Sequence, residues 1–354
     1  MNEEKSSNQF KKFVIKRIIN MFIVLFATLL ITLILVGPTM DNILKRTIEF
    51  EVNEEIRNTK GLVFNSESEL QEYKKERIEA HIKSLGLDEA WYSPKRLWLT
   101  LIKVMSLDFG RAYTLTSFSG SAKVIDIIME RLPRTILLFT SSTVIVTIVG
   151  LLLGALSASK VGSLIDKLTS GFAIISSSFP LWWSAMIMIL LFSFTFSIFP
   201  ARATPLISST DPAYISALLY HMILPLITLV IFSFGTWAYI VRNFMIGIMG
   251  EDYIMAKRAE GIPEKKIIYS HALKNAAPPI ITVVALSLSG SIGGAIISEA
   301  VFDWPGIGKL YYDAISVFDL PVIIGLTYIT TIVFLISIFI ADILYGFFDP
   351  RIRV

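Results

Sequence analysis

The sequence predicts an all-α membrane protein with six transmembrane helices and a large external region between the first and second. Three observations carry that prediction. The 354-residue chain is 54% hydrophobic and only 17% charged, too apolar for an ordinary soluble domain. Uncharged runs of bilayer length recur along it. The short basic segments between those runs can all be placed on one side of a membrane, as the positive-inside bias requires.

Residues 1–17 are polar and basic and read as a cytoplasmic N-terminus. Residues 18–36 carry no charge and form the first span. A secretory signal peptide would have a shorter apolar core and a small-residue cleavage site. Gly37-Pro38-Thr39-Met40-Asp41 follows instead, so the span is read as retained. Residues 37–133 form the external region, whose length exempts its many lysines and arginines from the charge rule. It contains two exposed helices, Glu49–Arg57 and Ser66–Leu85, and Trp98–Met105, which is apolar but too short to span. Val124–Leu132 is amphipathic and suited to the membrane surface.

Residues 134–346 form the core domain. Its first helix, about 135–158, is rich in Thr, Ser, Gly and Ala, which let membrane helices approach closely. Lys160 and Lys167 mark an inner loop. Residues 168–195 are uncharged with Pro180 inside, and read as one tilted or kinked span. A single span there puts 200–220 outside and returns the helix 222–241 inside at Arg242. The remaining spans are 280–298 and 322–345, with Glu299–Leu320 an external loop and 347–354 a cytoplasmic tail.

Between the fourth and fifth spans lies a basic polar unit, residues 249–278. Glu251 and Asp252 suit a helix N-terminus. Ile254, Ala256 and Ala259 are compatible with a short helix through Glu260, and Gly261 supplies a position that tolerates positive φ. Pro263 starts a second helix with an apolar stripe of Ile267, Ile268, Ala272 and Leu273. Pro278 and Pro279 are expected to end it at the membrane border. The unit reads as a docking element for a soluble partner, or as an amphipathic loop resting on headgroups.

Several chemistries are excluded. With no cysteine there is no disulfide, iron–sulfur cluster or thiol nucleophile. His81, His221 and His271 are far apart in sequence, so no metal site is expected. Gly290-Ser-Ile-Gly-Gly and Pro305-Gly-Ile-Gly-Lys lack the spacing and the Ser/Thr of a phosphate loop. ATP-driven work would need ATP and Mg on another chain.

A secondary transporter would place ionisable groups at membrane depth. The one candidate is Asp342, which reads as an interfacial residue that pairs or caps locally. A membrane-embedded enzyme would need a catalytic pair, and none is apparent. A receptor using residues 37–133 is a third alternative. The fifth span supplies the candidate translocation path, Ser287, Gly290, Ser291, Gly294 and Ser298, with Gly290 and Gly294 at close-packing spacing. Trp182, Trp183 and Trp304 read as interfacial anchors.

Four stretches carry a family resemblance. Tyr253-Ile-Met-Ala-Lys-Arg-Ala-Glu-Gly261, followed by His271-Ala-Leu-Lys-Asn275-Ala-Ala-Pro278, resembles the EAA loop of permease subunits of ATP-binding-cassette importers, the dipeptide/oligopeptide class in particular. Gly294-Ala-Ile-Ile-Ser-Glu299-Ala-Val-Phe302-Asp-Trp-Pro305-Gly306-Ile-Gly308 is similar to that family's external motif. Asp342-Ile-Leu-Tyr345-Gly-Phe-Phe-Asp349-Pro350-Arg351 is similar to its C-terminus. Leu85-Gly-Leu-Asp, Asp108-Phe-Gly110 and Arg131-Leu-Pro-Arg-Thr135 match its N-terminal half. The chain departs from the pattern at Lys257, where alanine is usual, at Glu260, where lysine is usual, and at Met255, which replaces the eponymous glutamate.

The resemblance implies a type I importer permease fold and a non-enzymatic subunit forming half of a translocation path. The cargo would be peptides or a similar polar solute, with oligosaccharides or nickel as alternatives. The implied partners are a second homologous permease, two ATPase subunits that bind ATP and Mg, an external solute-binding protein and the lipid bilayer of a bacterial or archaeal cell membrane, with no nucleic acid. The coupling residues it implies are Tyr253, Ile254, Ala256, Arg258, Ala259, Gly261, His271 and Asn275, with Tyr253 and Ile254 as apolar anchors in the ATPase groove. Glu299, Phe302, Pro305 and Gly306 carry the external motif.

Overall fold

A computed structural model describes residues 2–58, 66–84, 87–291 and 293–348, with side chains described from residue 12 to 343. Leu85, Gly86 and the tail from Asp349 onward, with the last residues of the C-terminal motif, lie outside the described residues. Among the described residues, five helices are long and apolar enough to cross a membrane, and a bent pair makes a sixth span if counted as one.

The first helix, α1 (Asn2–Asn58), does not stop after the apolar run: it continues through Pro38. The cause is visible in the spacing of Leu44, Ile48, Val52 and Ile56, one apolar residue per turn. Ile48 and Val52 are buried with Leu87, and Leu44, Ile56, Ile78 and Ile82 pack around them. Thus α1 and α2 (Glu67–Ser84) form a two-helix arm beyond the membrane run. Helix α3 (Pro94–Met105) starts at Ser93, whose hydroxyl accepts the Arg96 N–H, and Arg96 reaches back to Asp41 on α1 at 2.7 Å.

The amphipathic stretch Val124–Leu132 is not a separate surface helix. It is the start of α4 (Val124–Ser159), and Val124, Ile127 and Ile128 are fully buried against α1, α3 and later helices. Helix α5 (Leu164–Ser178) and helix α6 (Leu181–Ile189), which runs on into a π-turn at Leu190–Thr195, meet at 96°. Pro180 has no N–H and holds Phe179 extended, so the expected kink is a near right-angle break. Helix α7 (Tyr214–Met249) begins eight residues before the expected span.

Helices α4 and α7 form the main packing seam. A Cβ at Gly150 or Gly154 would collide with Trp237, the Ala238 backbone or Val241. Trp237 Nε1 donates to the Thr147 carbonyl at 3.1 Å. The close approach expected of that small-residue span is realised. Asp166 on α5 pairs with Arg242 on α7 and also accepts the Gly162 N–H at 2.8 Å.

After α7 come α8 (Asp252–Ala259), the single turn α9 (Glu264–Lys266), a π-turn (Ile267–Ala272) and α10 (Leu273–Ser291). Pro278 and Pro279 lie inside α10 rather than ending a helix before it. The chain breaks instead at Gly293-Gly294, so the expected span 280–298 ends at Ser291. Two short helices follow, α11 (Ile296–Phe302) and α12 (Ile307–Ser316), then α13 (Leu320–Phe348). The expected external loop 299–320 is therefore a folded hairpin. Asp342 on α13 meets Arg17 on α1 at 2.7 Å, a local pair as expected.

Candidate functional site

Two polar constructions occupy opposite ends of the α4–α7 seam. At one end, Ala155, Ala158, Val241, Met245 and Met249 from the helix termini share a buried cluster with Ile254, Ile267, Ile268, Ala272 and Ala276. The 251–276 hairpin is thereby welded to α4, α7 and α10 at once. Gly261, at φ +74° with open space around it, makes the turn between α8 and α9.

The hairpin's outward face is different in character. Tyr253, Met255, Ala256 and Ala259 are exposed. Ile254 is fully buried within its own chain, because its position on α8 points to the helix ends. The expected anchor Ile254 is therefore not on the exposed face, whereas its neighbour Met255 is 54% exposed. Tyr253 accepts a bond from Asn275 Nδ2 at 2.6 Å. Arg258 binds Glu264 across the Gly261 turn at 2.9 Å, which holds its guanidinium above the usual range. Lys257 and Glu260, both departures from the family pattern, pair with each other at 2.8 Å. His271 sits in the π-turn with its Nε2 buried and without a hydrogen-bond partner.

At the other end Glu299 is the hub. It is 1% exposed. Thr135 Oγ1, on α4, donates to its Oε1 at 3.0 Å and accepts the Ile307 N–H at 2.7 Å. The Lys309 N–H donates to Oε2 at 3.2 Å. Gly294 (φ +69°), Gly306 and Gly308 wrap this carboxyl so closely that a Cβ at any of them would strike it. Burial pushes Glu299 up to about 7, against the downward pull of its hydrogen bonds. Trp304 Nε1 donates to the Arg134 carbonyl at 3.1 Å. Phe302 and Pro305 are buried, and the Phe302 carbonyl accepts the Ala203 N–H at 2.8 Å. Trp304 is wholly buried, so it is not an interfacial anchor. Trp183 is partly exposed and stacks on Phe179 at 4.7 Å.

The candidate path residues do not form one face. Ser287 lines a cleft of about 380 Å³ with Thr143, Thr147, Ser233 and Thr236, between α4, α7 and α10. Gly290 faces open space. Ser291 is buried against Thr140 of α4 at 3.2 Å. Gly294 and Ser298 belong to the Glu299 hairpin, because the break at Gly293-Gly294 ends the helical repeat.

Sequence reasoning missed Asp319. It is completely buried and accepts the N–H groups of Tyr113, Thr114 and Leu115 at 3.1, 2.8 and 3.0 Å, pinning that loop to the start of α13. Burial and this charge push Tyr113 up to about 12. An aspartate just before an apolar run was the available signal.

Bilayer-length helices, a rigid exposed hairpin between two of them and a hydroxyl-lined cleft define a multi-pass membrane transport subunit. Residues 150–354 match the family described as binding-protein-dependent transport system inner membrane component. An oligopeptide transport system permease protein of Bacillus subtilis is 32% identical over 275 residues, covering 78% of this chain and 84% of that one. A dipeptide transport system permease protein of Escherichia coli is 31% identical over 303 residues, covering 78% and 86%. A di/tripeptide transport system permease protein of Pseudomonas aeruginosa is 34% identical over 239 residues, covering 62% and 70%. The chain belongs to this family of inner membrane components. It is a permease component of an ATP-binding-cassette importer, seated in the cell membrane.

Proposed function

We propose that the chain is half of the translocation path of a peptide importer, paired with a second homologous permease. Peptides are preferred over oligosaccharides or nickel because the relatives above are peptide permeases by name. Two ATPase subunits supply ATP hydrolysis, and an external binding protein delivers the cargo. The basic 251–276 hairpin faces the cytoplasm, with both chain ends on the same side.

One observation carries the coupling role. Ile254, Ile267 and Ile268 are buried among the ends of α4 and α7, so a push on the exposed face of α8 moves three spans as a rigid body. An ATPase groove would receive Tyr253, Met255, Ala256 and Ala259. Gly261→Val tests this. A β-branched residue at φ +74° costs about 1–2 kcal/mol of local backbone strain. The expected result is an inserted, assembled protein whose ATP hydrolysis no longer drives uptake. Normal coupled uptake by that variant would refute the lever.

A further inference from the structure

An open cleft of about 800 Å³ lies where the second half of the 251–276 hairpin meets α4, lined by Leu152, Pro263, Lys265, Lys266, Tyr269 and Ser270. Its place in the bilayer follows from Leu152. That residue lies two positions from both Gly150 and Gly154, which press α4 against α7, so the helical turn puts it on the opposite side of α4. Ile145, Ile148 and Leu156 fall on that same side at helical spacing, and all four side chains are exposed. An exposed apolar stripe along a span is its lipid-facing side. Leu152 precedes Ser159, the last residue of α4, by two helical turns, roughly 10 Å. The cleft therefore reaches from the polar hairpin to a hydrocarbon-facing side chain, and both ends line one space.

The polar end carries one sign of charge. Lys265 and Lys266 are exposed and form no ion pair among the described residues. Glu264, beside them in the chain, is held by Arg258 at 2.9 Å and does not line the cleft. Among the described residues no acidic side chain lines it. Tyr269, half-buried, and Ser270, exposed, bring two hydroxyl groups to the same wall.

Two lysines and two hydroxyls without a counter-charge, set against the apolar wall of a lipid-facing helix, select an anionic amphiphile. We propose that this cleft seats an anionic phospholipid of the cytoplasmic leaflet, an inference that rests on the hairpin's cytoplasmic placement. The phosphate lies on Lys265 and Lys266 with the Tyr269 and Ser270 hydroxyls, and an acyl chain runs over Leu152 toward Ile148 and Ile145. A zwitterionic headgroup finds no carboxylate there for its ammonium, and a free phosphate has no use for Leu152. The hairpin then serves both readings its sequence allows: α8 offers its outer face to a soluble partner, and the second half rests on a headgroup. A lipid held there ties the π-turn to the membrane plane by the attraction of basic segments to an anionic leaflet.

The test uses the full chain, extracted in mild detergent with the subunits that accompany it and equilibrated with phosphatidylglycerol and phosphatidylethanolamine of matched chains. Retained lipid is counted by native mass spectrometry, a readout that needs neither ATP nor uptake and so stands apart from the coupling role. The expected result is preferential retention of phosphatidylglycerol. The variant Lys265→Gln with Lys266→Gln should lower that retention about tenfold. Both lysines are exposed, so this variant folds. Leu152→Gln, which keeps every charge, should lower it as well. Lys16→Gln, exposed on α1, should change nothing. Equal retention of the two lipids, an equal fall with Lys16→Gln, or displacement of the lipid by an equal concentration of inorganic phosphate would overturn the proposal. So would loss of accompanying ATPase subunits from the lysine variant at unchanged lipid retention, which would give the cleft to a protein partner.

Discussion

The Glu299 hairpin and the Gly261 hairpin are built from the same parts, two short helices joined at glycine, yet they solve opposite problems. Around Glu299 the polar groups face inward and satisfy one another: Thr135, the Ile307 and Lys309 amides, and Trp304 on the Arg134 carbonyl. Around Gly261 the apolar groups face inward and the outer face is left open, with surface ion pairs. A buried, satisfied network specifies one arrangement. An exposed helix face with a rigid underside is suited to receive a partner and pass its motion on. The contrast teaches that one end of the subunit is self-contained, while the other presents an open face that the proposed coupling role would fill with another chain.

Substitutions can break that comparison, and their expected effects fall in order. Trp304→Ala removes a wholly buried ring and its hydrogen bond, and should cost about 3–5 kcal/mol. A detergent-stability assay should show loss of the folded subunit; an unchanged melting temperature would deny that the Glu299 end is anchored there.

Next comes pH. Glu299 titrates near 7 in the folded protein, above the ordinary 4.5. The folded state therefore holds its proton more tightly than the unfolded state. Its contribution is fully present below about pH 4.5 and is lost as pH rises through 7, a swing of about 3 kcal/mol. Thermal stability should fall between pH 5 and 7.5, and Glu299→Gln should flatten that slope. An equal slope in the variant would assign the effect elsewhere.

Smaller still is Thr135→Val, which keeps the shape but leaves the Ile307 N–H without a buried acceptor. About 2 kcal/mol is expected, read by the same assay. Gly261→Val should cost only about 1–2 kcal/mol of stability while uncoupling transport. That separation, stability lost at one end and coupling lost at the other, is the sharpest form of the contrast.

Much of this was legible in the chain. The small residues of α4 announced close packing, and Gly150 and Gly154 provide it against Trp237 and Val241. Gly261 announced a positive φ, and Asp342 announced a local pair. What was hidden depended on tertiary context. Pro278-Pro279 was read as a stop, yet it lies inside a continuous helix, as do Pro38 and Pro133. Neighbouring apolar contacts, such as Ile48 and Val52 with Leu87, hold the helix across the missing hydrogen bond. Ile254 and Trp304 looked like exposed anchors because residue type alone does not say which face of a short helix is covered. Glu299 was assigned to an external motif without any sign that it would be buried. Its burial follows from Gly294, Gly306 and Gly308 converging on one carboxyl from a loop and a helix start, a closeness that spacing alone does not reveal.

The most direct measurement is gentle extraction of the tagged chain from native membranes with identification of what comes with it. The account predicts a second permease and the ATPase subunits with the wild type. With Tyr253→Asp and Met255→Asp together, it predicts the second permease retained and the ATPases lost, at unchanged thermal stability. ATPases that stay bound to that variant, or a wild-type chain that purifies alone and supports uptake without ATP, would contradict it.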